Sequence, residues 1–171
     1  MSMPMWKRQS PPKHPEPLAE AREVAIRLLA RREHALLELH HKLQQRGFAA
    51  VVIEAVLQQL VAEDLLSDNR YAEIYALSRV DKGYGPWRIR RELLEHGVSE
   101  EIISTVLKNF DNDWMDKLAG LHRKRFAALP PDHSAEQAAQ IRFLRQRGFT
   151  LEQINRLFQS LRQDQGHDQQ R

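Results

Sequence analysis

Cysteine is absent from the 171 residues of this chain, and its absence excludes several kinds of chemistry. Disulfide bonds, thiolate nucleophiles and cysteine-ligated zinc or iron–sulfur centres all need the missing thiol. Long apolar runs are missing as well, since none approaches the roughly 20 residues of a membrane-spanning helix. The N-terminus lacks the apolar segment of a signal peptide. We therefore expect a soluble, cytoplasmic protein with no membrane partner.

Strand signals are also lacking, and proline is concentrated at one end of the chain. The composition, 42% hydrophobic and 29% charged, is that of a globular protein that can bury a core. Residues 1–17 hold five of the eight prolines together with Lys7, Arg8 and Lys13, which predicts a mobile basic arm. Residues 164–171 are polar and predict a frayed tail.

The rest of the chain contains a repeat, visible when Gly47, Gly97 and Gly148 are aligned. The aligned segments are LQQRGFAAVVIEAVLQQL, LLEHGVSEEIISTVLKNF and LRQRGFTLEQINRLFQSL. After each glycine, apolar residues recur at the i, i+3, i+4, i+7 spacing that places them on one stripe of a helix. The register is imperfect at Gln140, which aligns with the apolar Leu39 and Ile89.

Helix boundaries can be read around these glycines. A glycine just past the last helical residue adopts the left-handed conformation at little cost, so each is predicted to end a helix. Ser99 and Thr150 stand where an N-cap belongs, and Ala49 is a poor cap. Two pairs match the capping box, and Pro86 suits a first helical position. The capping-box pairs are Thr150 with Gln153 and Ser134 with Gln137.

A further helix precedes each aligned pair, which gives nine helices in three units. We predict an all-α fold of three tandem three-helix repeats, at residues 18–66, 67–111 and 112–163. One such unit buries little apolar surface alone, so neighbouring units must stack, as in helical solenoids. The prediction is an elongated, curved helical array.

No catalytic or metal-binding constellation emerges from the sequence. His40 and His41 are adjacent and diverge by about 100° on a helix, which does not suit a zinc site. The acids from Asp111 onwards resemble a calcium loop, but Asp116 stands where glycine is required, and helix capping explains them better. The glycine-rich segment 82–86 lacks P-loop spacing and is interpreted as a turn between helices. We expect no enzyme activity, no metal and no cofactor.

Charge is unevenly distributed along the chain. Segments 79–91 and 117–147 are basic, whereas segments 48–69 and 98–116 are acidic, which predicts two faces of opposite sign. The basic residues are the candidates for contact with phosphate groups, because lysine and arginine bind phosphates without reading bases. They are Arg79, Lys82, Arg88, Arg90, Arg91, Arg123, Lys124, Arg125, Arg142, Arg145 and Arg147.

Two pairs among these cations have the same spacing. Arg88 and Arg91 are three residues apart, as are Arg142 and Arg145, so each pair is predicted to share a helix face. Trp87 and Tyr84 are candidates for stacking on bases, although core or interhelix packing is the favoured interpretation of Trp87.

The segment DNRYAEIYALSRVDKGYGPWRIRRELLEHGVSEEIISTVL resembles the RecX family of bacterial recombination regulators. The similarity extends over about residues 18–162, and Asp64 stands where that family often has glycine. The residues that carry it are Asp68, Tyr71, Ala72, Arg79, Lys82, Gly83, Gly85, Pro86, Ile89, Leu93 and Gly97.

The resemblance implies a function that spacing alone does not reveal. Members of the family bind the RecA recombinase, lodge in the groove of its nucleoprotein filament, and inhibit filament extension, ATP hydrolysis and strand exchange. We expect the same partners here, with weak binding of single- or double-stranded DNA through phosphates, and a monomer. A stand-alone helical DNA-binding regulator and a DNA-independent protein scaffold remain open as alternatives.

Overall fold

The computed structural model describes the backbone of residues 15–168 and the side chains of residues 17–163. Over this range the chain forms nine α-helices and no strand, which confirms the all-α fold and the order of three three-helix repeats. None of these helices is long and apolar enough to cross a bilayer. The helices are α1 (Pro15–Leu29), α2 (Leu36–Gln44), α3 (Ala50–Ala62), α4 (Asp68–Asp81), α5 (Pro86–Glu95), α6 (Glu100–Lys108), α7 (Trp114–Phe126), α8 (Ser134–Gln146) and α9 (Leu151–Asp168).

Both ends of the helical region extend further than the sequence predicts. Helix α1 begins at Pro15, inside the predicted arm, because prolines are tolerated in a first turn whose N–H groups have no partner within the helix. Helix α9 continues to Asp168, inside the predicted tail. The remainder of the predicted arm, residues 1–14, and of the tail, residues 169–171, lies outside the described residues.

The chain is divided into two compact units. The first consists of the described part of Met1–Ile74 together with Leu94–Ile102, and the second of Tyr75–Leu93 with the described part of Ile103–Arg171. The division runs through the second repeat, so the compact units do not coincide with the three sequence repeats.

The core of the first unit is the apolar stripe that the repeat predicts. Ile53, Val56, Leu57 and Leu60 on α3 are all buried, as is Leu43 on α2. Burial of each large side chain stabilises the fold by about 1.5–3 kcal/mol.

Asp68, the first residue of α4, joins the second repeat to the first within this unit, and Tyr71 makes a contact within the second repeat. The carboxylate of Asp68 accepts a hydrogen bond of 2.8 Å from the backbone N–H of Leu36, the first residue of α2. The residue before it, Ala35, provides no side-chain cap, so Asp68 caps α2 from a distance in sequence. The Tyr71 hydroxyl lies 2.7 Å from Nδ1 of His96.

The four acids of segment 48–69 are buried or contact other residues. Glu54 is buried, and Asp68 is used as the cap just described. The other two acids form ion pairs, Glu63 with Arg22 at 2.6 Å and Asp64 with Arg70 at 2.7 Å. The charge pattern of the sequence does not predict these contacts.

The predicted helix ends are confirmed at the three aligned glycines. Gly47, Gly97 and Gly148 have φ values of 85°, 80° and 96°, which is the left-handed conformation that favours glycine. Asp64, at a position where the resembling family often has glycine, also has a positive φ, of 55°. Aspartate is one of the few other residues that adopt this conformation routinely.

The predicted helix starts are correct in three cases and wrong in one. Ser99 precedes the first residue of α6, and its hydroxyl accepts a hydrogen bond of 3.4 Å from the backbone N–H of Ile102. Thr150 and Gln153 form the reciprocal capping box, with distances of 2.9 and 3.1 Å, and Pro86 is the first residue of α5. Ser134 is not a cap, since α8 is capped one residue earlier. There the ring of His133 accepts a hydrogen bond of 3.2 Å from the backbone N–H of Glu136.

The second unit contains a buried polar pair that explains the irregular register. Gln140 and His122 are 1% and 0% exposed, and Oε1 of Gln140 lies 2.8 Å from Nε2 of His122. The rings of Phe126 and Phe158 surround the imidazole. Gln140 therefore takes an apolar position in the third repeat because it has a buried hydrogen-bonding partner.

Two turns of the second unit contact each other through their backbones. The N–H of Gly85 donates to the carbonyl of Arg147 at 2.7 Å, and the N–H of Trp87 donates to the carbonyl of Gly148 at 3.1 Å. A Cβ atom on Gly85 would lie 2.6 Å from the Gly148 carbonyl oxygen, and one on Gly148 would lie 2.5 Å from the Cβ atom of Arg88. Only glycine at both positions allows this approach.

Two glycine-to-alanine substitutions should therefore have opposite effects. Gly85→Ala should lower the free energy of unfolding by about 1–3 kcal/mol, because its Cβ separates the two turns. Gly120→Ala should raise it by about 1 kcal/mol, because Gly120 lies within α7 with no atom within 4 Å of the added Cβ. Urea unfolding followed by circular dichroism measures both, and equal effects would contradict the proposed contact between the turns.

The contribution of Glu38 to the stability of the first unit should depend on pH. Burial disfavours its charge, but hydrogen bonds led by those from Arg32 outweigh burial and lower the pKa of Glu38 to about 2. A carboxylate with a lowered pKa stabilises the fold above its ordinary pKa of 4.5 and loses that contribution as the pH falls to about 2. Glu38→Gln should cost at most about 1 kcal/mol at pH 6 and nothing near pH 2, as measured by urea unfolding.

The matched control is Glu152→Gln. This side chain is 83% exposed and lies 3.5 Å from Arg156, so its neutralisation should change stability little at any pH. A cost for Glu38→Gln that persists undiminished at pH 2 would contradict the assignment.

Candidate nucleic-acid interface

All eleven predicted phosphate-binding residues lie in the second unit. Arg79 is in the last turn of α4, Lys82 is in the following turn, and Arg88, Arg90 and Arg91 are on α5. Arg123, Lys124 and Arg125 occupy the last turn of α7. Arg142 and Arg145 are on α8, and Arg147 is its C-cap.

Three of these arginines surround the ring of Tyr84. The guanidinium carbon atoms of Arg88, Arg79 and Arg147 lie 4.4, 5.2 and 5.2 Å from the ring centroid. They come from α5, α4 and the end of α8, so residues distant in sequence meet at one aromatic side chain. The contact between the Gly85 and Gly148 turns positions two of them, because Arg88 lies three residues after Gly85 and Arg147 directly precedes Gly148.

A single buried carboxylate holds two of the arginines in place. Glu92 is 8% exposed, accepts a hydrogen bond from Nε of Arg88 at 3.0 Å, and forms an ion pair with Arg79, whose Nε lies 2.9 Å from Oε2 of Glu92. The Tyr75 hydroxyl lies 3.0 Å from the same carboxylate and 2.8 Å from a terminal nitrogen of Arg79. Burial disfavours the charge of Arg79, but these partners outweigh it and raise the pKa of its guanidinium, so it remains charged.

The arrangement continues from Arg147 to a second pair of rings. The guanidinium of Arg147 lies 5.1 Å from the Phe143 centroid, and that of Arg125 lies 6.0 Å from Phe143 and 5.5 Å from Phe126. The result is a continuous alternation of cations and rings, which we call the arginine–aromatic array. It consists of Tyr75, Arg79, Tyr84, Arg88, Arg147, Phe143, Arg125 and Phe126.

The remaining predicted cations lie outside this array. Arg142 and Arg145 are exposed and line an open groove on α8 with Ala138 and Ile141, which confirms that they share a face. Arg91, Arg123 and Lys124 are exposed, and Arg90 is half-buried beside a separate cavity. Lys82 is exposed, and its backbone carbonyl accepts a hydrogen bond of 3.2 Å from Arg147.

Arg88 and Arg91 lie three residues apart on α5, where Arg88 is half-buried against Tyr84 and Glu92 and Arg91 is exposed. One expectation about this region needs correction. Trp87 is not a packing residue: it is 64% exposed. The fixed first turn of α5 directs Arg88 towards the ring of Tyr84, and the preceding side chain, that of Trp87, therefore diverges from it by about 100°.

Sequence reasoning singled out Tyr84 but missed the other rings and the carboxylate that organise the array. A signal for the rings is present, because arginine follows an aromatic residue at a spacing of four in five places, and three of these pairs belong to the array. Side chains four apart face each other on a helix, and cations stack on aromatic faces. The three pairs in the array are Tyr75 with Arg79, Tyr84 with Arg88, and Phe143 with Arg147. No comparable signal marks Glu92, since its two arginines come from different helices.

The array can bind phosphate groups. Its four guanidinium groups are compensated by one carboxylate, and stacking on a ring leaves N–H donors at the edge of the guanidinium plane. Among the residues with described side chains, no group of three histidines, aspartates or glutamates is placed to hold a metal ion.

Removal of the Tyr84 ring should loosen the array. Tyr84→Ala should lower the free energy of unfolding by about 1.5–3 kcal/mol, because three cation–π contacts of about 0.5–1 kcal/mol each are lost. Tyr84→Phe keeps the ring and should stay within about 0.5 kcal/mol of the unmodified protein. Urea unfolding measures both, and equal destabilisation by the two variants would contradict a role for the ring face.

Comparison with known proteins shows which family this chain resembles. Three RecX family models match the chain, described as the first, second and third three-helix domains, at residues 21–60, 67–107 and 111–158. The regulatory protein RecX of Pseudomonas savastanoi pv. phaseolicola is 45% identical over 136 residues, which are 80% of this chain and 88% of that protein. The protein of the same name from Halorhodospira halophila is 41% identical over 133 residues, 78% of this chain and 83% of its own length.

The fold is also that of a solved structure. The crystal structure of RecX from Lactobacillus salivarius matches with a TM-score of 0.75 and 21% identity, and the match covers 85% of this chain and 97% of that one. The family models follow the three repeats one by one. The chain belongs to the RecX family of regulatory proteins.

Proposed function

We propose that this protein binds the RecA recombinase and its nucleoprotein filament. In this proposal it lodges in the filament groove and inhibits filament extension, ATP hydrolysis and strand exchange, and so modulates recombination and DNA repair. Membership of a regulatory family supports the role of a modulator. The observation that carries the proposal is the arginine–aromatic array, in which one carboxylate compensates four arginines.

The cations of the second unit would act on the DNA of the filament. Lysine and arginine neutralise backbone phosphates and release counterions, which makes binding salt-dependent and independent of sequence. The exposed Arg142 and Arg145, on the helix that carries Phe143, supply additional contacts. The protein acts as a monomer without catalytic chemistry, and binds bare single- or double-stranded DNA only weakly.

Salt dependence separates this function from two others. A stand-alone DNA-binding regulator shows base preference that survives raised salt, because base contacts carry its specificity. A pure protein scaffold binds free recombinase with little salt dependence. The proposed function requires binding to the assembled filament that weakens steeply with salt and shows no base preference.

Charge reversal on α8 tests the proposal. The double variant Arg142→Glu, Arg145→Glu should raise the concentration needed to inhibit filament ATP hydrolysis roughly tenfold, because two phosphate contacts are lost. In binding to the filament, the slope of log K against log salt should fall by about 1.5. Both arginines are exposed, so helicity and melting should remain unchanged.

The matched control carries the same change of charge in the first unit. Arg31→Glu, Arg46→Glu alters two exposed arginines outside the candidate interface and should leave inhibition within about twofold. Equal loss of inhibition in both double variants would show that only net charge matters. Unchanged inhibition in the α8 variant would refute a role for these cations.

A further inference from the structure

A cavity of about 540 Å³ lies in the second unit beside the arginine–aromatic array, and no part of the array lines it. Its walls come from the first turn of α5, the end of α6 and the beginning of α7. The apolar lining includes Trp87, Leu107 and Trp114, and the cationic lining consists of Arg90 and Lys108. A volume of this size is within the range of small-ligand sites.

Trp87 gives the cavity an exposed aromatic face. Trp114 is 5% exposed and packs with its ring centroid 5.7 Å from that of Phe110, so it belongs to the core. Trp87 differs from it, since 64% of the residue is exposed. A tryptophan in water gains stability when a planar apolar partner covers it, and nucleobases are such partners.

The backbone of Trp87 is fixed rather than free. Its N–H donates to the carbonyl of Gly148 at 3.1 Å, and Gly85, two residues earlier, is held by Arg147 at 2.7 Å. The same turn of helix continues into Arg88, which belongs to the array. Because Trp87 directly precedes Arg88 in the chain, a strand whose phosphates contact the array is brought next to the cavity.

The polar lining matches a nucleotide better than an apolar peptide. Arg90 and Lys108 are donors for phosphate oxygens, and Asp111 and Ser104 are acceptors for N–H groups at base edges, such as the N3–H of thymine. Within this lining, a terminal nitrogen of Arg90 donates to the Ser104 hydroxyl at 3.4 Å. The array next to the cavity is cationic, which favours a polyanion over a neutral segment.

We propose that this cavity receives an unstacked base of single-stranded DNA on Trp87, with the adjoining phosphate at Arg90 and Lys108. The inference rests on the proposed function, because the array must first bring the strand to α5. It adds a preference that phosphate contacts alone do not give: the surface distinguishes a strand with accessible bases from a bare phosphate backbone. Duplex DNA, whose bases remain stacked, does not use this cavity.

The test compares two oligonucleotides that share one backbone. One is labelled single-stranded oligothymidine, and the other has the same length and phosphates but abasic sites throughout. Binding to the full chain is measured by fluorescence anisotropy at low salt. The unmodified protein should bind oligothymidine roughly 5- to 150-fold more tightly than the abasic strand, the range for stacking of one base.

The variant Trp87→Ala should remove this preference and retain the affinity for the abasic strand. The matched control is Leu129→Ala, which removes a residue that is 57% exposed in the same unit and does not line the cavity. Leu129→Ala should retain the preference. A preference that survives Trp87→Ala, or its absence in the unmodified protein, would overturn the inference.

Two further outcomes distinguish this inference from the proposed function. Equal weakening of both oligonucleotides by Arg142→Glu, Arg145→Glu, with the preference intact, supports phosphate binding and base stacking as separate contributions. If Trp87→Ala leaves both oligonucleotides unaffected but weakens binding of DNA-free recombinase, the cavity receives a protein side chain. That result would overturn the inference while leaving the proposed function in place.

Discussion

The contact between the Gly85 and Gly148 turns is the constraint on which the second unit depends. Two backbone hydrogen bonds join them at 2.7 and 3.1 Å, and a side chain at either position would prevent the approach. Because Arg88 follows Gly85 by three residues and Arg147 directly precedes Gly148, their guanidinium groups are brought to the ring of Tyr84. Glycine at both positions therefore allows the contact that positions these two guanidinium groups.

Arginines gathered in this way repel one another, and the fold contains two means of offsetting the repulsion. Glu92 is buried between Arg79 and Arg88, where its charge is poorly screened and acts strongly on both. The rings of Tyr84 and Phe143 lie between further pairs of guanidinium groups and offer each a negative face. Net positive charge nevertheless remains, and it is available to an anionic partner.

Much of the fold follows from the sequence because its signals are local. The glycine stops, the Thr150 capping box and the apolar stripe of α3 depend on residues within one turn of helix, and the structure contains all of them. The cap of α8 differs by one residue, since His133 and Ser134 offer competing acceptors and spacing cannot rank them.

The site could be predicted only in part because its organising contacts are not local. The charge runs identify Arg79, Arg88 and Arg147 as candidates for phosphate contact, but their convergence on Tyr84 depends on contacts between residues distant in sequence. The same limit applies to the acidic segment 48–69, because the sequence does not show that Glu63 and Asp64 form ion pairs with Arg22 and Arg70. Charge patterning predicts which residues are available for a surface, and tertiary contacts decide which of them form it.

The motif that identifies the family has mainly structural roles in this chain. Asp68 caps α2, Tyr71 lies within hydrogen-bonding distance of His96, and Gly85 permits the contact between turns. Tyr84 stands between the two glycines of the motif, at a position that the pattern leaves open, yet it is the centre of the array. Phosphate binding needs positive charge at a suitable spacing rather than a particular side chain at each position. The motif therefore specifies the backbone that places the charges and one cation of the array, Arg79, whereas Arg88, Arg125 and Arg147 lie outside it.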